Sequence, residues 1–282
     1  MRPQDSPGIC RLITVEDRSS EWPVAGIGNK WSCEQYDGPF HVFEPRRDRP
    51  AISLVFVQSK GGNTVAANPD SLGGGPTDKH LIYEGLSRVA ADAVLAGAGS
   101  VGRSTFFTMT NPELVALRLS LGLPRHPAQI VISERGNIDM SSRLFSTGGV
   151  RVFLLAGPAC AEKVAREVRR RSWITLIPIA NGRLDTAFAR LRRDHAIGRI
   201  SAVGGRHTAT NLVDAGLVQD IYLTTTAIDG GEVDTPWYTG ARMPQLHVIV
   251  RKRESADHHP IVFEHLVISR TDSGLRRLQT GE

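Results

Sequence analysis

The chain has 282 residues, of which 40% are hydrophobic and 22% charged, enough for one large domain or two small ones with a sizeable core. No stretch approaches the roughly eighteen uninterrupted apolar residues of a membrane span, and the opening MRPQDSPGICRLITVEDRSS has no apolar signal core, so a cytoplasmic protein is expected. A formal charge of +5 suits an anionic ligand, while three scattered cysteines form neither a disulfide framework nor a zinc site.

Residues 1–49 show weak periodicity and many turn formers, with Trp22, Trp31, Tyr36, Phe40 and Phe43 among them. They read as an extension that packs on a neighbour. From Pro50 elements alternate. Ala51 to Val57 suits a buried strand, and Asp78 to Ala91 places Ile82, Leu86 and Val89 on one helical face behind a Thr77 or Asp78 cap. Further strands are predicted at Ala93–Ala96, Gln129–Ser133, Arg151–Ala156, Ile174–Ile179, Ile200–Val203 and Ile221–Ile228. Helix signals lie between most of them. Asn111-Pro112-Glu113 combines a cap, a first-turn proline and an early acid. A helix over Ala159–Arg171 ends in Arg169-Arg170-Arg171, cations that complement the helix dipole on a solvated end. Leu184, Phe188 and Leu191 recur at helical spacing, as do Leu212, Ala215 and Val218 after Thr208.

Leu246–Val250 and Ile261–Ile268 are β-rich runs with no helix pattern between them, which reads as a closing antiparallel pair. The expected architecture is α/β, a mixed and mainly parallel sheet of about nine strands with helices on both faces. The expected division is an extension over 1–49, one domain over 50–270 and a polar tail over 271–282.

Two glycine loops carry the chemistry. Gly97-Ala98-Gly99-Ser100-Val101-Gly102 fits the dinucleotide fingerprint G-x-G-x-x-G, and Gly97 through Ser104 fits the P-loop except that Arg103 replaces its lysine. Both motifs need a helix to begin at the loop, whereas Thr105-Phe106-Phe107-Thr108 follows here. Taken alone, the loop is a strand-end turn. The second loop, Val203-Gly204-Gly205-Arg206-His207-Thr208, does precede a helix signal, so its exposed N–H groups, Arg206 and the Thr208 hydroxyl suit a diphosphate. Two such loops at the carboxyl ends of strands favour a dinucleotide. His258-His259 has no third ligand in view, so no metal is expected.

With both loops in place, the sequence resembles the reductase (C-terminal) domain of the riboflavin-biosynthesis deaminase-reductase family, which has the dihydrofolate-reductase-like fold. The resemblance runs from about Arg49 to Gly231 through SKGGNTVA (59–66), LSRVAADAVLAGAGSV (86–101), GLPRHPAQIVIS (122–133) and GGRHTATNLVDAGLVQDIYLTTTAIDGG (204–231). It implies a homodimer and hydride transfer from NADPH to a ring-opened ribose on a pyrimidine phosphate. The cofactor would lie over Gly97, Gly99, Ser100 and Val101 and over Gly204, Gly205, Arg206, His207 and Thr208. Dihydrofolate reductases carry a cis glycine pair there, which makes Gly204-Gly205 a candidate for one. Ser133 and Arg135 stand where the adenosine phosphate of NADPH would be held.

On the substrate side the resemblance fails. Val55 stands where a lysine is usual, Val203 where a glutamate is usual, and Ser59-Lys60-Gly61-Gly62 has lost the acid of its turn. Lys60 is then the candidate phosphate cation, with Thr77, Asp78 and His80 the candidates for proton delivery; the commoner reading of such residues makes Thr77 and Asp78 plain caps and His80 a surface residue. The reading is an NADPH-dependent reductase of altered substrate specificity. Its alternatives are a dihydrofolate or dihydropterin reductase and a non-catalytic nucleotide-binding protein on the same scaffold. Nucleic acid and membrane partners are not expected.

Overall fold

A computed structural model describes residues 8–66, 69–134, 136, 138–255 and 261–269. The first elements are β1 (Leu12–Asp17), β2 (Val24–Ile27), α1 (Lys30–Tyr36), β3 (Phe40–Phe43) and β4 (Ala51–Gln58). A π-helical segment (Thr77–Leu86) runs into the short α2 (Ser87–Val89), followed by β5 (Ala93–Gly97), α3 (Pro112–Ser120), β6 (Ala128–Ser133) and α4 (Arg143–Ser146). Next come β7 (Val152–Ala156), α5 (Pro158–Arg169), β8 (Ile174–Pro178), α6 (Leu184–His195), β9 (Arg199–Val203) and α7 (Arg206–Asp214). The chain then forms β10 (Asp220–Thr225), β11 (Gln245–Glu254) and β12 (Val262–Ser269).

Ten strands join one sheet in the order β1-β11-β12-β10-β4-β9-β5-β6-β7-β8. Every neighbouring pair from β10 to β8 is parallel, and the antiparallel β12, β11 and β1 close the other side. The expected α/β architecture and its closing hairpin are therefore present. The tenth strand comes from the N-terminal stretch: β1 pairs with β11, while β2 and β3 form a separate two-stranded sheet. Residues of 1–49 thus belong to the same sheet as the rest. The proposed tail over 271–282 lies outside the described residues, as do His258 and His259.

The alternation along β5 explains the two layers. Val94 and Ala96 point into one core with Leu81, Leu114 and Phe145, and Ala93 and Leu95 point into the other with Phe188, Leu191 and Leu212. Fully buried on both faces, β5 reads as a continuous apolar run. The helix starts follow local chemistry. Asn111 accepts hydrogen bonds from the N–H groups of Glu113 (2.9 Å) and Leu114 (3.3 Å), with Pro112 at the first turn of α3. At the other end of α5, Arg170 and Arg171 both lie 3.5 Å from Glu167, a solvated ion-paired helix end.

Arg118 locks together the strands that carry the cleft described below. It is completely buried and donates to the carbonyls of Arg88 (2.8 Å) and Ala91 (2.6 Å), just before β5, and of Pro124 (2.6 Å), just before β6. Burial pushes its guanidinium down to about 10, which leaves it charged at neutral pH. Hydrogen bonds from a charged donor are worth about 1.5–3 kcal/mol each, and removing this one orphans several buried carbonyls. Arg118→Met should lower the unfolding free energy by about 3 kcal/mol or more in urea titration; a loss below about 1 kcal/mol would contradict this role.

Candidate active site

The carboxyl ends of β5, β6 and β9 open on a cleft of ≈ 560 Å³. Gly97, Ala98, Gly99 and Ser100 form one wall, Ile132, Ser133 and Glu134 another, and Gly205, His207, Thr208 and Asn211 a third. The chain enters this region at a reversal of strand order, because β9 returns from the far edge to lie between β4 and β5. Such switch points are where open parallel sheets bind ligands.

The floor is made by the two glycine loops packing on each other. A Cβ on Gly97 would stand 2.4 Å from the Thr208 hydroxyl oxygen, and one on Gly205 would stand 3.4 Å from the hydroxyl oxygens of both Ser100 and Thr208. Gly97 therefore leaves room for Thr208, and the first loop lies directly against the start of α7. After β5 the backbone makes a single 3₁₀ turn, Ala98–Ser100, and no α-helix begins there, as the sequence predicts. At the second loop α7 does begin, with Gly205 as an N-cap that offers no side-chain acceptor. The first-turn N–H groups of α7 are thus left without a side-chain cap beside the cleft.

The cis peptide proposed for Gly204-Gly205 is absent: no cis bond occurs among the described residues. The turn is made instead by two successive left-handed residues, Gly204 at φ 85° and Gly205 at φ 87°, a conformation that side-chain-bearing residues resist.

Of the expected cofactor residues, Gly97, Gly99, Ser100, Ser133, Gly205, His207 and Thr208 line this one cleft. Gly204 adjoins it over Ser100, Val101 packs against the core, and Arg206 opens α7 beside the wall. Arg135 lies outside the described residues. Ser133 is buried, and its hydroxyl accepts the N–H of Gly136 at 3.2 Å. Sequence reasoning missed Ala98, Ile132, Glu134, Leu184 and Asn211. Asn211 was findable, since it lies one helical turn after His207 and contacts that ring at 3.2 Å. Leu184 opens α6, and its helical spacing marks it as a core position with nothing local to place it on the cleft.

Thr77, Asp78 and Lys60 lie elsewhere, beyond the ends of β4 and β10. The Thr77 side chain is buried, and its hydroxyl accepts the N–H of Cys10 at 3.0 Å, so the N-terminal stretch reaches this loop. Neither Thr77 nor Asp78 caps the helix by a side-chain bond; Pro76 occupies the N-cap. Asp78 turns inward and accepts a hydrogen bond from Thr224 of β10 at 2.5 Å. Burial pushes its carboxyl up to about 6, outweighing the Thr224 hydroxyl, which favours the ionised form. Lys60 is exposed on the Ser59–Asn63 turn, with its N–H on the carbonyl of Ile228 at 3.0 Å. His80 pairs with Glu84 at 3.0 Å.

The valines that replace family charges are neighbours. Val55 in β4 and Val203 in β9 are in register, Val55 is also level with Tyr222 of β10, and all three are buried. Where the resemblance implies a lysine and a glutamate, the structure holds one apolar patch. Among the described residues no group of His, Cys, Asp or Glu is placed to hold a metal, and no helix is long and apolar enough to cross a membrane.

A mixed α/β sheet with a cleft at its switch point, floored by glycines and an uncapped helix start, has the dihydrofolate-reductase-like fold. The model of the RibD C-terminal domain matches residues 54–257, and the chain belongs to that family of reductases. No curated protein matches the sequence. Among solved structures, a pyrimidine reductase-like protein from Corynebacterium diphtheriae superposes with a TM-score of 0.63 at 18% identity, over 79% of this chain and 93% of that one. Acinetobacter baumannii RibD gives 0.59 at 12% identity, over 79% of this chain and 58% of its own. The riboflavin biosynthesis reductase Rib7 of Saccharomyces cerevisiae gives 0.54 at 13%, over 78% and 90%. These likenesses establish the fold.

Asp78 has a stability signature. The unfolded chain releases this proton near 3.8 and the folded chain near 6, so between these values the folded state holds more protons. Its contribution to stability therefore falls as pH rises from about 4 to about 6 and is constant above. Asp78→Asn should remove that slope and stabilise the protein at pH 7 by up to about 3 kcal/mol, read from urea unfolding across pH. An unchanged slope would show that Asp78 titrates normally.

Proposed function

We propose that this chain is a nicotinamide-dinucleotide-dependent reductase acting on a small polar heterocycle, pyrimidine- or pterin-like, or on its sugar adduct. The observation that carries the reading is the joint floor of Gly97 and Thr208. It brings an uncapped helix start and two side-chain-free backbone loops to one cleft, which suits a diphosphate flanked by two nucleosides. The glycine cradle fits the group: at Gly205 a Cβ would fill the space between Ser100 and Thr208.

In this reading the start of α7 and the Ala98–Ser100 turn hold the pyrophosphate, and Ile132 and Leu184 give apolar cover to the adenine. The bound cofactor supplies hydride. The protein supplies orientation and a proton. Asp78, held near pH 6 in its part-buried site, is the proton source, and Lys60 on its exposed turn is the cation for an anionic substrate. The apolar Val55–Val203 patch supports a substrate different from the ribosylaminopyrimidine phosphate that the family resemblance implies. That resemblance also implies NADPH as the donor, a homodimer and a cytoplasmic setting. The homodimer and the cytoplasmic setting belong to the proposal, with the dimer checked by sedimentation velocity, while the choice of donor is set at the end of β6.

Calorimetric titration should show wild-type protein binding a reduced nicotinamide dinucleotide, and no binding at millimolar cofactor would reject the reading. Gly97→Ala, which drives a methyl into Thr208, should weaken binding at least about tenfold and cost about 1–3 kcal/mol of stability. Gly99 has open space around its would-be Cβ, so Gly99→Leu should fold normally yet weaken binding, which separates the site from the fold. Loss of nicotinamide absorbance with dihydropterins but not ribosylaminopyrimidines would assign the pterin branch. Binding without turnover across both would reduce the proposal to a nucleotide-binding protein.

A further inference from the structure

We propose that Glu134 selects a dinucleotide without a 2′-phosphate, so that this chain prefers NADH to the NADPH its family resemblance implies. The inference rests on the reading that the cleft holds a nicotinamide dinucleotide.

The strand order fixes which end of the cofactor meets Glu134. The proton source Asp78 is bonded to Thr224 of β10, and the Ser59 turn and the segment after β10 meet through Ile228, so the reacting end lies over β10 and β4. The pyrophosphate floor lies at β9 and β5, the next strands across. The adenosine half must then extend over β6, which is four strand spacings, or ~19 Å, from β10. Glu134 directly follows Ser133, the last residue of β6, and is exposed on the cleft wall.

Among the described residues on that wall, Glu134 is the one Asp, Glu, Lys or Arg. Ser133, expected as a phosphate contact, has its hydroxyl buried and engaged by the Gly136 N–H, and Arg135, the other expected contact, lies outside the described residues. A carboxylate accepts hydrogen bonds from the 2′- and 3′-hydroxyls of an unmodified ribose. Against a 2′-phosphate, which carries a charge of about −1.5 to −2, the same carboxylate is repulsive and has no proton to donate. The glycine loops and α7 bind the pyrophosphate common to both cofactors, so the choice falls to this wall.

The test is calorimetric binding of NADH and NADPH to the whole chain, as wild type and as Glu134→Gln. Wild type should bind NADH at least about tenfold more tightly, and Glu134→Gln should narrow the ratio to within about threefold, mainly by improving NADPH binding. Because repulsion between exposed charges is screened, raising the salt concentration should narrow the wild-type ratio more than that of Glu134→Gln. Equal or tighter NADPH binding by wild type overturns the proposal, as does an NADH preference that survives Glu134→Gln unchanged. Failure of both dinucleotides to bind wild type overturns the underlying reading and this inference with it. The substitution lies on an exposed wall residue, so folding is checked independently by its urea midpoint.

Discussion

The close approach of Gly97 to Thr208 is the constraint on which the site depends. The two residues come from β5 and from α7, and they meet because β9 is inserted between β4 and β5 and brings the start of α7 next to the β5 loop. A methyl group at Gly97 would occupy the space of the Thr208 hydroxyl, so the β5 loop and the helix start cannot sit this close with any larger residue unless one of them moves. Gly204 and Gly205 contribute the other half: two left-handed residues turn the chain sharply enough for α7 to begin directly at the strand end, with its first N–H groups uncapped. The β5 loop has the G-x-G-x-x-G pattern without a helix, and the β9 loop has the helix without the full pattern. Packed together, one supplies the glycine floor and the other supplies the helix.

A second constraint runs across the sheet. Val203, Val55, Tyr222 and His265 occupy one level on β9, β4, β10 and β12. The family resemblance implies a lysine and a glutamate at the adjacent pair Val55 and Val203, and a single charge buried there would lack its partner, which is far more costly than having neither. With valine at both positions the level is apolar and closely packed. The polar groups nearest this end lie elsewhere: Asp78, bonded to Thr224, and Lys60 on its exposed turn. Further along the level, His265 contacts Asp220 at 2.5 Å, both side chains are buried, and Asp220 also accepts from Ser53 at 2.8 Å. Here two buried polar side chains satisfy each other.

Much of the fold was legible because buried parallel strands and amphipathic helices leave strong local patterns. Ala93–Gly97 and Val152–Ala156 are uninterrupted apolar runs, and Leu184, Phe188 and Leu191 mark α6 by spacing alone. β1 was not legible. Its sequence, LITVED, is half exposed, and its partner β11 lies more than two hundred residues away, so nothing local records the pairing. The π-helical geometry of Thr77–Leu86 was hidden for the same reason, since the spacing of Ile82, Leu86 and Val89 suits an ordinary helix. In the site, glycines announced the backbone, but the side chains on the walls did not announce themselves. Glu134 reads as a turn residue, and Asp78 as a cap, until the strand order shows what each one faces.

The most direct measurement of this account is a crystal structure of the chain with a reduced nicotinamide dinucleotide bound. The account places the pyrophosphate between the Gly97–Ser100 turn and the first turn of α7, the adenosine ribose beside Glu134 over β6, and the nicotinamide toward Asp78 and Thr224. A pyrophosphate bound away from the start of α7, or a cofactor running in the reverse direction with its nicotinamide over β6, would contradict it.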